Sequence, residues 1–392
     1  MINEQATIDK IELYEVAIPL KEPFQISGGV SHFRRSLIVV LSSGDFKGYG
    51  EAAPFEEPYY SSETISSVKM LYKELLIPRL LGKTIDSIEE MNEVLNEGVR
   101  GNAFAKAGIE NAYWDLLCQK NNKNMKQMIE YKMEQMGVPK EFMESKDHIK
   151  SGVSIGIPVD GKIETLRQWA QEYIDEGYQR IKIKIRPGWD LEPLAAVREQ
   201  IGDFPLWIDA NSAYDLEKHK ETLEKMDHYD LLFYEQPLHH DDILDHASLA
   251  ANIKTPICLD ESLKSERVAR QALESGASKI WNIKIQRIGG LLEGIKIYKL
   301  AVENGVQLWG GTMPESGIGA IPILNLATFK GFVYPADIEA SARWYGEGQD
   351  TIELTMSQEG DIVIPEGISV ESMINFNNFH KYGTLISIDE RK

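Results

Sequence analysis

The sequence predicts an α/β protein, a (β/α)8 barrel of the TIM type that follows an α+β capping domain completed by the C-terminal segment. Three observations favour this fold. The 392 residues exceed one average domain of about 150 residues and suit a barrel of about 250 residues with an accessory domain. From about residue 152, short apolar strands alternate with amphipathic helices. Before that residue, strands precede helices without alternation, which is typical of an α+β unit.

The capping domain is predicted to occupy residues 1–130. A turn signal, SSGD at 42–45, separates two strand-like segments and indicates a hairpin. We expect this domain to close over the barrel, with the loop 23–30 as a lid that carries Phe24, and with Tyr59 or Tyr60 near the substrate. The strand-like segments are 11–18, 36–41 and 46–51, and the segments with helical spacing of apolar residues are 62–76, 88–95 and 102–117.

The barrel is predicted to occupy residues 131–345, where a pattern of strand, polar turn and amphipathic helix repeats. Eight such units favour a closed parallel barrel over an open sheet. The C-terminal segment, residues 346–392, contains further strand-like pieces before a polar end, and we expect it to pack back on the capping domain. The predicted barrel strands are 153–157, 180–185, 205–210, 231–236, 256–261, 279–285, 306–311 and 332–337.

Composition limits the classes of partner. Lys and Arg number 42 against 61 Asp and Glu, a net charge of −19, which disfavours nucleic acid and anionic lipid because both need a positive surface. Cys118 and Cys258 have apolar neighbours and indicate buried thiols in a reducing compartment. The N-terminal residues lack the apolar centre of a signal peptide. We therefore expect a cytoplasmic protein that binds a small molecule and no membrane. We also expect a homo-oligomer.

An ionisable residue stands at the carboxyl end of each strand from the second to the sixth. These residues are Lys184, Asp209, Glu235, Asp260 and Lys284, and successive members are 24 to 26 residues apart. Taken singly, an acid at such a place is more often a helix N-cap or a salt-bridge partner. Their regular spacing places all of them around one rim of the barrel, on the face where barrel enzymes carry their chemistry, and indicates one site.

The charges at this rim limit the chemistry. Three converging carboxylates raise one another's pKa unless a cation neutralises them, and three oxygen donors with open positions suit Mg²⁺, with Mn²⁺ as a substitute. A lysine beside a divalent cation is shifted toward its neutral form, so Lys184 or Lys284 can act as a general base while the metal stabilises an enolate. Lys182 points the same way as Lys184, one layer deeper, where it can neutralise the carboxylates.

Several runs of residues resemble the enolase superfamily and, within it, the muconate-lactonizing-enzyme subgroup. The chain more closely resembles the family of o-succinylbenzoate synthases and N-acylamino acid (N-succinylamino acid) racemases, and the similarity covers nearly its whole length. Pro54 and the run YSSE at 60–63 resemble the family's capping-domain loop. The matching runs in the barrel are GVSIG at 152–156, KIK at 182–184, PGWD at 187–190, DAN at 209–211, EQPL at 235–238, TPICLDES at 255–262 and NIK at 282–284.

The resemblance implies metal ligands at the three carboxylates and an acid/base pair at Lys184 and Lys284. Arg287 resembles an arginine of members that racemise N-acylamino acids, but a surface arginine capping the loop is an equal alternative. Ser154 faces either the substrate or the barrel core. The residues expected to bind or support the substrate are Ser154, Lys182, Asn211, Glu261, Arg287, Met313 and Glu315.

The run GTMPESGIGA at 311–320 departs from the family's pattern. Thr312 stands in place of a glycine, and Ala320 stands in place of an arginine. Both residues lie beside the expected pocket. These differences bear on which substrate is accepted, and they leave the metal ligands and the lysines unchanged.

The resemblance implies Mg-dependent removal of a proton alpha to a carboxylate through an enediolate. Two reactions fit: racemisation of an N-succinylamino acid by two lysines on opposite faces, and dehydration to o-succinylbenzoate in menaquinone biosynthesis, with Lys184 as the base. Dipeptide epimerisation needs two acids at the eighth strand, a pattern that Asp337 and Glu339 half reproduce. Muconate cycloisomerisation is a further alternative. Outside enzymology, the alternative is a catalytically silent barrel that acts as a binding protein.

Overall fold

The computed structural model describes residues 2–26 and 29–391, and it confirms the predicted fold class. A capping unit, a parallel barrel and a C-terminal segment follow one another along the chain. The strands of the capping unit are β1 (Ala6–Thr7), β2 (Lys10–Ile26), β3 (Gly29–Ser43), β4 (Phe46–Ala52) and β5 (Thr84–Ile85). Its helices are α1 (Ile65–Leu71), α2 (Ile77–Leu80), α3 (Ile88–Asn96), α4 (Ala103–Asn121) and α5 (Met125–Gln135), with a π-helical turn at Tyr72–Leu76 and a 3-10 turn at Lys140–Phe142.

The hairpin predicted around residues 42–45 is formed by β3 and β4, which pair antiparallel up to Ser43 and Phe46. The helix α4 packs on β4 at very short range. A Cβ atom at Gly50 would lie 2.1 Å from the carbonyl oxygen of Gly108, so only glycine permits this approach. Nearly all of α4 is buried, in keeping with its many small residues.

The barrel begins after a short strand, β6 (His148–Lys150). Its strands are β7 (Val153–Ile155), β8 (Ile181–Lys184), β9 (Leu206–Asp209), β10 (Tyr234–Glu235), β11 (Ile257–Leu259), β12 (Ile280–Ile283) and β13 (Gln307–Gly310). Its helices are α6 (Ile163–Asp175), α7 (Leu191–Ile201), α8 (Leu216–Met226), α9 (Ile243–Ala250), α10 (Glu266–Ser275), α11 (Ile285–Ile288), α12 (Leu291–Glu303) and α13 (Gly317–Leu326). No helix in the described part of the chain is long and apolar enough to span a membrane.

The strands β7 to β13 form one parallel sheet in chain order. The eighth predicted strand, 332–337, closes the ring through isolated bridges instead of a regular strand. Phe332 bridges β13, and Ala336 bridges Ser151 just before β7. Pro335 has no N–H to donate, so it interrupts the ladder between these bridges.

The C-terminal segment packs back on the capping unit, as the predicted fold requires. The helix α14 (Ser341–Trp344) precedes this segment, whose own elements are β14 (Asp361–Val363), α15 (Val370–Met373), α16 (Phe376–Tyr382) and β15 (Gly383–Glu390). β15 pairs with β2 and completes a sheet in the order β15–β2–β3–β4. The sequence predicts only a polar end here. This edge strand is largely solvent-exposed, so it lacks the apolar pattern that would reveal it. The domain limits at residues 130 and 345 stay predictions.

Parallel pairing in register fixes where the strand ends of the barrel lie. Lys184 of β8 pairs with Asp209 of β9, and Asp209 pairs with Glu235 of β10. Glu235 pairs in turn with Cys258 of β11, two residues before Asp260. The ends of consecutive strands therefore carry their charged residues to one rim of the barrel.

Replacement of Gly50 by alanine tests the close packing of β4 on α4. The added methyl group would meet backbone atoms that have no rotamer to change, so we expect Gly50→Ala to lower the free energy of unfolding by about 3 kcal/mol. Gly156→Ala is the control, because its Cβ atom would have no neighbour within 4 Å. Urea denaturation of both variants measures the difference, and equal stabilities would contradict this packing.

Candidate active site

Three carboxylates converge at the carboxyl ends of adjacent barrel strands. Asp209 and Glu235 are the last residues of β9 and β10, and Asp260 directly follows β11. Each is at most 1% exposed. Asn282 of β12 joins two of them, since its side-chain nitrogen donates to Asp260 at 2.9 Å and to Glu235 at 3.4 Å. The structure therefore places the predicted metal ligands on adjacent strands in the barrel interior, linked in pairs through Asn282 and Lys182, although their oxygens do not all lie within 4.8 Å of one another.

The three carboxylates differ in how far neighbouring bases offset the effect of burial on their pKa. Burial, together with the neighbouring acid Asp209, raises the pKa of Glu235 to about 8 despite the nearby Lys182. Burial alone would raise the pKa of Asp209 too, but Lys184 and Lys182 lower it below its ordinary value. Glu235 is therefore the carboxylate of the trio that the neighbouring bases compensate least.

Two lysines contact opposite ends of the trio. Lys184 at the end of β8 donates to Asp209 at 2.5 Å and to Asn211 at 2.7 Å, and its side chain is 32% exposed. Lys284, which follows β12, donates to Asp260 at 2.9 Å. Burial alone would lower the pKa of Lys284, but Asp260 raises it well above its ordinary value. A lowered lysine pKa, as the sequence predicts, therefore requires a cation that competes for Asp260.

Lys182 lies one layer below Lys184, as the alternation of strand residues predicts. Its ammonium group is 2.5 Å from Asp337, 3.3 Å from Glu235 and 3.4 Å from Asp209. Burial alone would lower the pKa of Lys182, but these acids together raise it. Lys182 is therefore held in its charged form among the carboxylates.

Arg287 lies inside the site, so the surface position that the sequence left open for it is wrong. Its side chain is 5% exposed, and it donates to Asp260 and to the carbonyl oxygen of Asn282. With Lys284 it helps to hold the pKa of Asp260 well below the ordinary value, although burial acts in the opposite direction. It acts here as a second cation on that carboxylate.

Asn211 and Glu261 form a polar edge beside the trio. The side-chain nitrogen of Asn211 donates to Glu261 at 2.8 Å, and its backbone N–H donates to Asp209 at 3.0 Å. Burial and the neighbouring Asp260 raise the pKa of Glu261 to about 7. Asn211 thus contacts the carboxylate and lysine cluster directly, and Glu261 is joined to it through Asn211.

Ser154 sits deeper than the substrate position expected for it. Its hydroxyl group donates to Asp337 at 3.3 Å, and its backbone N–H donates to Glu339 at 3.2 Å. It pairs in register with Lys182. Of the two alternatives that the sequence leaves open, this placement favours support of the barrel core.

Met313 and Glu315 lie at the contact between the capping unit and the loop after β13. The backbone N–H of Met313 donates to Glu315, and the carbonyl oxygen of Met313 accepts from Arg34 at 2.9 Å. Burial raises the pKa of Glu315 to about 7. Glu51 of β4 accepts from the backbone N–H groups of Ser316 at 3.0 Å and of Gly319 at 2.9 Å. These contacts hold the loop against the cap.

The capping unit reaches the site through Tyr60. The ammonium group of Lys284 lies 5.6 Å from the ring centre of Tyr60. Tyr59 turns instead onto Phe55, with ring centres 4.7 Å apart. Of the predicted lid, Ser27, Gly28 and the side chain of Phe24 lie outside the described part of the structure.

The donor set fits a hard divalent cation. Asp209, Glu235 and Asp260 supply carboxylate oxygens, which Mg²⁺ and Mn²⁺ prefer. Beside them, within the described residues, Glu261 Oε2 and Asn282 Oδ1 are buried oxygens without a hydrogen-bond partner. Unpartnered buried oxygens are costly, and a cation or its bound water would satisfy them.

A second group of metal-ligating side chains lies in the loop after β10. Ligand atoms of His239, His240 and Asp241 lie within 4.8 Å of one another. This trio is more exposed than the carboxylates, and Lys264 forms an ion pair with Asp241 at 2.6 Å. A cation would have to displace that lysine, so the trio is the weaker candidate.

The sequence analysis missed Arg180 and the role of Asn282. Arg180 is fully buried and donates to Asp337. The sequence nevertheless contains the information that places both residues. Arg180 precedes Lys182 by two positions, and Asn282 precedes Lys284 by two, so strand alternation predicts that each faces the barrel interior.

Two family models match this chain. One, described as the mandelate racemase / muconate lactonizing enzyme N-terminal domain, matches residues 9–129. The other, described as enolase C-terminal domain-like, matches residues 165–372. The chain belongs to the enolase superfamily. It is an enzyme of this superfamily, whose members depend on a divalent metal ion.

Relatives in the enolase superfamily narrow the family further. An o-succinylbenzoate synthase of Enterococcus faecalis is 36% identical and covers 96% of this chain and 98% of its own. An N-succinylamino acid racemase of Thermus thermophilus is 37% identical over 93% of this chain and 94% of its own. The crystal structure of an enolase superfamily member from Listeria innocua has a TM-score of 0.87 at 34% identity and covers 98% of this chain and 99% of its own. The chain lies in the family of o-succinylbenzoate synthases and N-succinylamino acid racemases.

Glu51→Gln tests the contact that holds the loop after β13. The carboxylate is fully buried and accepts from backbone N–H groups at the start of α13, so the amide would lose a charge-assisted acceptor. We expect the free energy of unfolding to fall by about 2 to 3 kcal/mol, measured by urea denaturation. Glu221→Gln is the control, since that side chain is 82% exposed and should leave stability unchanged. Equal behaviour of the two variants would count against the contact.

Proposed function

We propose that the protein removes the proton alpha to the carboxylate of a small substrate, as an o-succinylbenzoate synthase, an N-succinylamino acid racemase, or both. One observation carries this proposal. Lys184 and Lys284 contact opposite ends of the carboxylate trio, at Asp209 and Asp260. A substrate carboxylate beside the trio would therefore have one lysine toward each face of its alpha carbon. The names of the relatives support the same two reactions.

We propose Mg²⁺ as the cofactor, with Asp209, Glu235 and Asp260 as its ligands and Mn²⁺ as a substitute. When bound, the metal ion supplies electrostatic stabilisation for the negative charge that develops on the substrate carboxylate. The homo-oligomeric state and the cytoplasmic location stay predictions from the sequence.

In the racemisation, the two lysines divide the work. One lysine, in its neutral form, takes the proton from one face of the alpha carbon, and the enediolate that remains is planar at that carbon. The other lysine, in its charged form, returns a proton to the opposite face. Because either can start in the neutral form, the reaction runs in both directions. Tyr60, close to Lys284, helps to exclude water from that side.

In the dehydration, a single base suffices. Lys184 takes the alpha proton and leaves an enediolate. The carbon–carbon double bond then forms as the hydroxyl group leaves the neighbouring carbon, and the charged Lys184 gives its proton to that oxygen, so that water departs and the lysine is neutral again. Lys284 stays charged beside Asp260 and Arg287 and stabilises the enediolate. One arrangement of lysines can therefore serve both reactions.

The acids of the eighth strand argue against dipeptide epimerisation. Recognition of a free ammonium group needs carboxylates with spare capacity. Both oxygens of Asp337 are occupied, one by Arg180 and the other by Lys182. Glu339 accepts from the backbone N–H of Ser154 through one oxygen, and its other oxygen lies 3.9 Å from Arg343 without a hydrogen bond, so it is the pairs of Asp337 that leave no spare capacity. A substrate whose nitrogen is acylated needs no such partner, so these pairs favour N-acylated substrates.

Single lysine variants test the division of work. In heavy water with Mg²⁺ and N-succinylphenylalanine, we expect the wild-type protein to exchange the alpha proton of both enantiomers with loss of optical activity, followed by proton NMR and polarimetry. Lys184→Ala and Lys284→Ala should each retain exchange of one enantiomer, opposite for the two variants, and should lose racemisation by at least about 1,000-fold. Lys264→Ala, at an exposed rim lysine, is the control. Loss of exchange with both enantiomers in both variants would contradict the two-base arrangement.

The synthase reaction is tested with the same proteins on the hydroxylated precursor of o-succinylbenzoate. The appearance of the aromatic product is expected with the wild-type protein and its loss with Lys184→Ala. If the wild-type protein transforms neither substrate, the proposed substrates are wrong, and dipeptides are the next class to offer.

Calorimetry with Mn²⁺ distinguishes the buried carboxylates from the surface trio. We expect Glu235→Gln to weaken binding by at least about 100-fold, because a central oxygen ligand and a negative charge are lost together. Asp241→Asn should leave the affinity unchanged. The reverse pattern would move the metal site to His239, His240 and Asp241.

A further inference from the structure

A buried ionic group lies beneath the carboxylate trio, and the proposed chemistry does not use it. Arg180 is fully buried, with its guanidinium group 4.1 Å from the ring centre of Trp207. It donates to the carbonyl oxygen of Val153 at 2.8 Å and forms an ion pair with Asp337. A Cβ atom at Gly152 would lie 2.1 Å from its Nε, so the neighbouring strand leaves space for this side chain.

Asp337 connects Arg180 to the proposed metal ligands through Lys182. One carboxylate oxygen of Asp337 accepts from Arg180, and the other lies 2.5 Å from the ammonium group of Lys182. That ammonium group is also 3.3 Å from Glu235 and 3.4 Å from Asp209. Lys182 is thus shared between Asp337 on one side and two proposed ligands on the other.

We propose that Arg180 and Asp337 are positioning residues that set how strongly Lys182 opposes a divalent cation at Asp209 and Glu235. This inference rests on the metal site of the proposed function. Asp337 draws the ammonium group away from the ligands and adds negative charge near the cation. Arg180 competes for Asp337 and adds positive charge. The two residues therefore act on cation affinity in opposite directions, although both belong to one ion pair.

The test is whether substitutions of Asp337 and Arg180 change the affinity for a divalent cation in opposite directions. By Mn²⁺ calorimetry on the full chain, Asp337→Asn should weaken binding by about tenfold, because Lys182 is released toward the ligands. Arg180→Met should tighten binding by about threefold or more, because Asp337 then holds Lys182 alone. Arg180→Lys keeps the charge and should restore the wild-type affinity within about twofold. If the substitutions acted only through lost packing, Asp337→Asn and Arg180→Met, the two variants that remove a charge, would both bind Mn²⁺ more weakly.

Thermal unfolding identifies any variant that does not fold. If Arg180→Met fails, Arg180→Gln makes the same change of charge and keeps a donor toward Val153 and Asp337. Weaker binding in both charge-removing variants, or no change in either, overturns the inference while the metal site of the wild-type protein stands. Absence of Mn²⁺ binding by the wild-type protein overturns the metal site and this inference together.

Discussion

The structure depends on keeping charged side chains buried at the ends of parallel strands. A carboxylate removed from water is costly unless a base or hydrogen-bond donors compensate it. Here the compensation comes from bases on neighbouring strands. Lys184 pairs with Asp209, and Lys284 pairs with Asp260. Lys182 is shared by Asp209, Glu235 and Asp337. A shift of register by one residue would turn these side chains away from one another. The in-register pairing of β8, β9 and β10 is therefore a condition of the site as well as of the sheet.

The same principle joins the capping unit to the barrel. Glu51 accepts from backbone N–H groups at the start of α13, and Glu110 of α4 accepts from those of Leu291 at 2.6 Å and Leu292 at 2.9 Å at the start of α12. Helix N-termini favour negative charge, and burial strengthens each contact. The body of the cap is therefore fixed on the barrel, and a loop of the cap brings Tyr60 to within 5.6 Å of Lys284.

The sequence predicted the parts of this protein that repeat. The barrel follows from the alternation of strands and helices, and the carboxylate and lysine cluster follows from one charge per unit at constant spacing. Arg180 was not predicted because it precedes β8, whereas the regular spacing of charged residues marks only the carboxyl ends of the strands. The edge strand β15 has only β2 as a partner and carries few buried residues, so no apolar pattern marks it. The hydrogen bond from Arg34 to Met313 joins residues 279 positions apart, a separation over which local sequence pattern carries no information.

A lysine and a bound cation would compete for the same carboxylate oxygens at Asp260. This competition links cation binding to the pKa of Lys284. Asp260 holds Lys284 in its charged form as long as their ion pair is intact, and a charged lysine cannot accept a proton. Any cation that claims the oxygens of Asp260 weakens the hold on Lys284 and moves its pKa downward. Arg287 forms an ion pair with the same carboxylate, and its positive charge also acts to lower the pKa of Lys284. Under the proposed function, a divalent cation at Asp260 would therefore have to be bound before Lys284 could serve as the base.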